Sequence, residues 1–147
     1  KRIKDDQPVV IKRVGETASV KMNTLKSYML ETWSIRHPYY AHNIDIFVSD
    51  DARRPLGGAK KRKRVRQGEK HQALVMVMER YERNLESLMD ERIKLQKQLT
   101  SEEIMGFVTQ ILQFLHYLHT EMRIVHHNLK MSNLLVDDTG TVFVHDI

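Results

Sequence analysis

Val125-His126-His127-Asn128-Leu129-Lys130-Met131-Ser132-Asn133-Leu134-Leu135-Val136 is the stretch on which the fold turns. Its first part mixes His, Asn, Lys and Ser with single apolar residues and follows no period, so it reads as a polar loop. Its last three residues are apolar and open a short strand. Asp137-Asp138-Thr139-Gly140 then supplies turn residues, and residues 141–144 form a second apolar run. Two short strands around such a turn make a hairpin. Asn133 and Asp146 bracket it, as a turn asparagine and a strand-end aspartate on the plainest reading.

Upstream, Thr100-Ser101-Glu102-Glu103 has the Thr-x-x-Glu form of a capping box, in which each end of the motif satisfies a backbone N–H of the other. Ile104, Phe107, Val108, Ile111, Leu112, Leu115 and Leu118 follow at three- and four-residue steps, which predicts a long, fairly hydrophobic helix. A shorter helix is expected over residues 84–89, and residues 91–99 are too charged to assign. Ala73-Leu74-Val75-Met76-Val77-Met78 reads as a strand, and so does the aromatic and β-branched run over residues 39–48. Leu25, Met29, Leu30 and Trp33 mark an amphipathic helix over residues 23–35, stopped by His37-Pro38. The first strand, residues 8–14, carries Lys12. The order is therefore strand, helix, two strands, helices, polar loop and hairpin, an α+β pattern.

The 147 residues, 41% hydrophobic and 29% charged, suit one globular domain or part of one and exclude a disordered tail. No apolar run approaches the roughly 18 to 20 residues of a membrane span, so no membrane insertion is expected. The absence of cysteine removes disulfides, thiol catalysis and Cys-based zinc sites, and His116-x-x-His119 without cysteine or a paired carboxylate does not read as zinc-binding. The net charge of +5 is local: residues 52–66 hold eight basic residues and no acid, leaving 16 basic against 19 acidic elsewhere. That run sits in a Pro- and Gly-containing loop insert, residues 49–70, and resembles a nuclear-localisation tract. No aromatic residue interleaves it, so no specific nucleic-acid partner is implied.

The motifs in this order resemble the eukaryotic protein kinase domain. Val9-Val10-Ile11-Lys12 is similar to the family's V-A-I-K, His37-Pro38 to the His-Pro that follows the first helix, and Val77-Met78-Glu79-Arg80-Tyr81 to the strand and hinge. The opening stretch is similar to V-H-R-D-L-K-P-S-N-L-L-V, and His145-Asp146-Ile147 stands where Asp-Phe-Gly is expected. The resemblance implies a small lobe of antiparallel sheet plus one helix over residues 1–81, and the start of a mainly helical large lobe over residues 82–147. It implies ATP, with Lys12 on the phosphates and Met78 (the gatekeeper), Glu79 and Tyr81 around the adenine. It also implies Mg²⁺ on Asn133 and Asp146, Lys130 near the transferring phosphoryl, and a protein substrate or partner. The acid paired with Lys12 is Glu31 by its spacing from Lys12, whereas counting back from His37 lands on Tyr28.

The departures bear on activity. Asn128 stands where the family carries the catalytic aspartate, and an amide accepts a hydrogen bond but does not act as a base near neutral pH. His127 replaces the adjacent arginine and Ile147 the phenylalanine. No G-x-G-x-x-G occurs in the sequence, and a complete domain of this kind runs to about 250 residues. The expectation is a piece of a serine/threonine-type domain, a pseudokinase acting as a scaffold or allosteric regulator, with an active or weakly active kinase as the alternative. Cytoplasm or nucleus is the expected location. The basic insert and altered loop also look somewhat like the secreted rhoptry kinases of apicomplexan parasites, which would make the chain a secreted effector.

Overall fold

The computed structural model describes residues 8–15, 22–49 and 72–147. The basic insert expected over residues 49–70 lies outside them apart from Ser49. The chain divides into two compact units, Lys1–Trp33 with Asn43–Met78, and Ser34–His42 with Glu79–Ile147.

The first unit is a three-stranded sheet with one helix. Strands β1 (Val9–Gly15), β2 (Asn43–Ser49) and β3 (Ala73–Glu79) are ordered β1-β3-β2. β3 is central, and residues 73–78 are buried without alternation, as a strand covered on both faces requires. β2 pairs with it antiparallel, Phe47 opposite Val75 and Ser49 opposite Ala73. Helix α1 (Met22–Ser34) contributes Met22 and Leu25 to a cluster with Leu74 and Met76, against which Tyr28 and Met29 pack.

The buried stripe of α1 differs from the expected one. Leu30 is 65% exposed and Trp33 43% exposed, whereas Thr32 is buried. Met22, Leu25, Met29 and Thr32 share one face at three- and four-residue steps, and Leu30 and Trp33 fall beside it. Thr32 tolerates burial because its hydroxyl donates back to the carbonyls of Tyr28 at 2.9 Å and Met29 at 3.2 Å.

The second unit places helices against a small sheet. Strands β4 (Arg83–Asn84), β5 (Leu134–Val136) and β6 (Val142–Val144) form an antiparallel sheet in the order β4-β5-β6. Helix α2 (Leu85–Lys94) is longer than expected and starts on a capping box between Asn84 and Ser87. Helix α3 (Ser101–Thr120) starts on the predicted box between Thr100 and Glu103. Glu103 also receives Arg92 at 2.6 Å, so one carboxylate caps α3 and holds α2 beside it.

The strand expected over residues 39–48 is two pieces. β2 begins only at Asn43, and residues 39–41 instead run parallel to β6. The Ala41 N–H donates to the Val144 carbonyl at 3.0 Å, and the Val144 N–H to the Tyr39 carbonyl at 2.9 Å. The Tyr40 ring stacks on Phe114 of α3 with centroids 5.7 Å apart. Ile35, Phe114, Leu118, Val142 and Val144 are fully buried around them. The apolar run thus serves two sheets, and its residue types do not encode which partner each half takes.

Among the described residues no helix is long and apolar enough to cross a membrane. α2 ends in a Schellman arrangement: the Gln96 N–H reaches the Ile93 carbonyl at 3.0 Å and the Lys97 N–H the Arg92 carbonyl at 2.9 Å. Gln96, at φ 53°, occupies the left-handed position that glycine usually takes. Because Gln96 is exposed, Gln96→Gly removes strain without removing packing. It is expected to raise stability by about 1 kcal/mol, read as a higher urea midpoint with an unchanged slope.

Candidate functional site

The loop between α3 and β5 is held by side chains that grip its backbone. Asn133 closes a short 3-10 turn, Met131–Asn133, and is only 5% exposed. Its Nδ2 donates to the Asn128 carbonyl at 2.8 Å, its N–H donates to the Lys130 carbonyl at 2.9 Å, and its own carbonyl accepts the His145 N–H at 3.1 Å. With Nδ2 committed, Oδ1 makes no hydrogen bond among the described residues.

His126 grips the same loop from the other side. It is 2% exposed; its Nδ1 accepts the Asn128 N–H at 3.3 Å and its Nε2 lies 3.1 Å from the His145 carbonyl. The two contacts are satisfied together by one neutral tautomer, with the proton on Nε2 donated to the carbonyl. Burial pushes the His126 pKa down, His127 adds to this, and the two nearby carbonyls oppose it. Asn128 is therefore held at its N–H by His126 and at its carbonyl by Asn133, while its side chain is exposed. His127 (φ 48°) and Asp146 (φ 66°) both adopt left-handed backbone, a conformation that His and Asp take more readily than most residues but that needs surrounding support. Here the clamped neighbours give it.

The hairpin is fixed by polar contacts of its own. Asp137 Oδ1 accepts the Thr139 N–H at 2.9 Å, the Thr139 hydroxyl at 2.7 Å and the Thr141 N–H at 2.9 Å. Burial raises the Asp137 pKa, yet these bonds and the Gly140 N–H outweigh it and hold the pKa below the usual value. The Val142 N–H is taken by Gln110 of α3 at 2.6 Å.

The expected site residues divide between the units. Asn128, Lys130, Asn133 and Asp146 are brought together by the loop, with the Lys130 side chain exposed and Asp146 half-buried. Tyr81 also lies in this unit; its ring packs on Phe143 at 5.0 Å. Burial, then the charges of Glu79 and Asp137, push its phenol up to about 12, so it stays a neutral donor. In the first unit Lys12 is half-buried on β1, and Met78 is buried on β3 opposite Asn43. On α1, Glu31 is exposed, while Tyr28 packs into the Met22 cluster and has its phenol pKa raised by burial. Sequence reasoning gave His126 no chemistry; its grip on Asn128 depends on a long-range contact with His145 that no local pattern encodes.

The protein kinase domain model matches residues 1–147. The chain belongs to the protein kinase domain family. It is also 41% identical over 59 residues to the "Probable serine/threonine-protein kinase MRK1 homolog" of Encephalitozoon cuniculi. That match covers 40% of this chain and 18% of the relative. A kinase domain with an antiparallel-sheet small lobe followed by helices accounts for the α+β elements, and the family uses ATP and Mg²⁺ with protein substrates.

The depressed His126 pKa gives a pH dependence. A histidine held neutral when folded stabilises fully above its unfolded pKa, and the stability falls as pH drops through that value toward the folded pKa. Acidification from about pH 7.5 to about pH 5.5 is therefore expected to lower the urea midpoint. His37, whose pKa is also lowered by burial and by His42, contributes in the same sense. The His126 share is the part of the slope that disappears in His126→Gln, and an unchanged slope would count against the neutral clamp.

Proposed function

We propose that this chain belongs to a serine/threonine-type kinase domain that binds Mg-ATP but is impaired in phosphoryl transfer, and that it acts as a scaffold or allosteric partner of another protein. The observation that carries this reading is Asn128. Its backbone is clamped at both ends by His126 and Asn133, so the position is kept while the carboxylate is absent. An amide there orients a hydroxyl but does not accept its proton. The similarity to a relative named as a serine/threonine-protein kinase, and Lys130 two residues after Asn128, support the serine/threonine type.

In this reading Lys12 binds the ATP phosphates with Glu31 as its carboxylate partner, and Met78, Glu79 and Tyr81 receive the adenine. Lys130 lies near the transferring phosphoryl. Asn133 Oδ1 and the Asp146 carboxylate hold the cation; the open Oδ1 is a donor suited to a hard metal ion. Mg²⁺, when bound, offsets the charge on the phosphate oxygens. The protein substrate hydroxyl would approach Asn128, which turns it toward the phosphate and leaves its proton in place.

Two measurements on the full-length protein test this. Mg-ATP is expected to raise the melting temperature, with the shift lost in Asn133→Ala; no shift in the unaltered protein would favour a module that binds neither nucleotide nor metal. Asn128→Asp should raise phosphate transfer to a basic-protein substrate by at least about tenfold, since base assistance contributes about 10²- to 10⁴-fold. Substantial transfer by the unaltered protein would overturn the impaired reading and leave an active kinase.

A further inference from the structure

β6 is an outer strand of its sheet, paired to β5 on one side only, so its other edge must find partners elsewhere. Val142 and Val144, two residues apart, both turn their N–H groups to that edge. The N–H and carbonyl of Val144 are taken by the backbone of Tyr39 and Ala41, and no side-chain substitution removes those bonds. The Val142 N–H has a different kind of partner, the Gln110 side chain, whose Oε1 accepts it at 2.6 Å. Val142 is 0% exposed, so water does not replace that bond when it is lost.

Helix α3 places Gln110 for this contact. It is a half-buried polar residue on the apolar stripe of the helix, three residues after Phe107 and four before Phe114, both of which are buried. A polar side chain at such a position needs a bonded partner, and the strand supplies one. The two residues are 32 positions apart, so the bond is tertiary and ties the helix to the start of β6.

Asp146 is where slack in β6 would be felt. It lies four residues after Val142 and holds a left-handed backbone at φ 66°. A residue other than glycine keeps that conformation only where its surroundings impose it. The chain leading to it is fixed at its far end by Asn133, whose carbonyl accepts the His145 N–H, and at its near end by Gln110. With the near end released, β6 is free to shift against β5. A slip of one residue moves a strand by about 3.4 Å and turns every side chain to the other face.

We propose that Gln110 is a positioning residue for the cation: by fixing the start of β6 it holds the Asp146 carboxylate in register with Asn133. This rests on the Mg-ATP reading given above. Gln110 acts through the strand and is not itself a ligand.

The experiment compares the unaltered full-length protein with Gln110→Leu, which removes the acceptor at similar size, and Gln110→Glu, which keeps an acceptor oxygen. Amide hydrogen exchange without nucleotide reads the strand directly. Residues 141–147 are expected to exchange about fivefold faster in Gln110→Leu, the order of one lost hydrogen bond, and at the unaltered rate in Gln110→Glu. The magnesium concentration giving half of the ATP-induced melting shift reads the site. It is expected to rise about tenfold in Gln110→Leu, the lower end of the cost of losing a group that supports a metal ligand, and to recover in Gln110→Glu. A lower melting temperature with an unmoved magnesium midpoint would make the bond purely structural and overturn the proposal, as would unchanged exchange or an equal rise in Gln110→Glu. Should Gln110→Leu lose its fold by circular dichroism, Gln110→Asn, whose amide stops one methylene short, is read in the same way. No magnesium-dependent shift in the unaltered protein would sink the Mg-ATP reading and this inference together, whereas a normal shift there with no difference in the variants sinks this inference alone.

Discussion

The buried carboxamide of Asn133 is the contact on which the second unit's functional loop depends. The same residue closes the 3-10 turn through its backbone N–H, fixes Asn128 through the side-chain Nδ2, and takes the His145 N–H on its backbone carbonyl. A single residue thereby ties the polar loop to the strand that delivers Asp146. Losing the side-chain amide would remove its bond to the Asn128 carbonyl, worth about 1 kcal/mol net, and leave the two backbone bonds in place. His126 completes the arrangement by spanning Asn128 and His145 with one neutral ring. The position of Asn128 is therefore set by backbone bonds, and its side-chain identity is left free to vary without loosening the loop.

Much of this architecture could be read from the residues. The Thr100–Glu103 box and the apolar repeat after it defined α3, because capping and periodicity are local signals. The hairpin was equally legible from its turn residues. The kinase family followed from ordered motifs, and the match over residues 1–147 bears it out.

What the sequence hid was mostly non-local. Thr32 replaced Leu30 on the buried face of α1, since a hydroxyl satisfied by the preceding turn counts as apolar for packing and as polar for pattern recognition. The end of α2 was obscure because Gln96 holds the left-handed position where glycine would have signalled a stop. Residues 39–48 read as one strand although their halves pair with β6 and β3. The spacing left open whether Glu31 pairs with Lys12 or, with Tyr28 in register, α1 offers no acid; Glu31 is exposed and Tyr28 packs against the Met22 cluster.

The parallel bridge between Tyr40 and Val144 also bears on how the chain acquires its structure. Its two residues are 104 positions apart, the difference of their numbers, and strands β2 and β3 of the first unit are encoded between them. During synthesis Tyr39, Tyr40 and Ala41 leave the ribosome long before their partner strand exists. Those three residues, two of them aromatic, must wait in an unpaired, collapse-prone state while β2 and β3 are translated and begin to associate. Pairings of such high sequence separation form slowly, because loop closure precedes any gain from the contact. The second unit is thus expected to complete only after release of residue 144, and holdase chaperones would act on the chain during that interval.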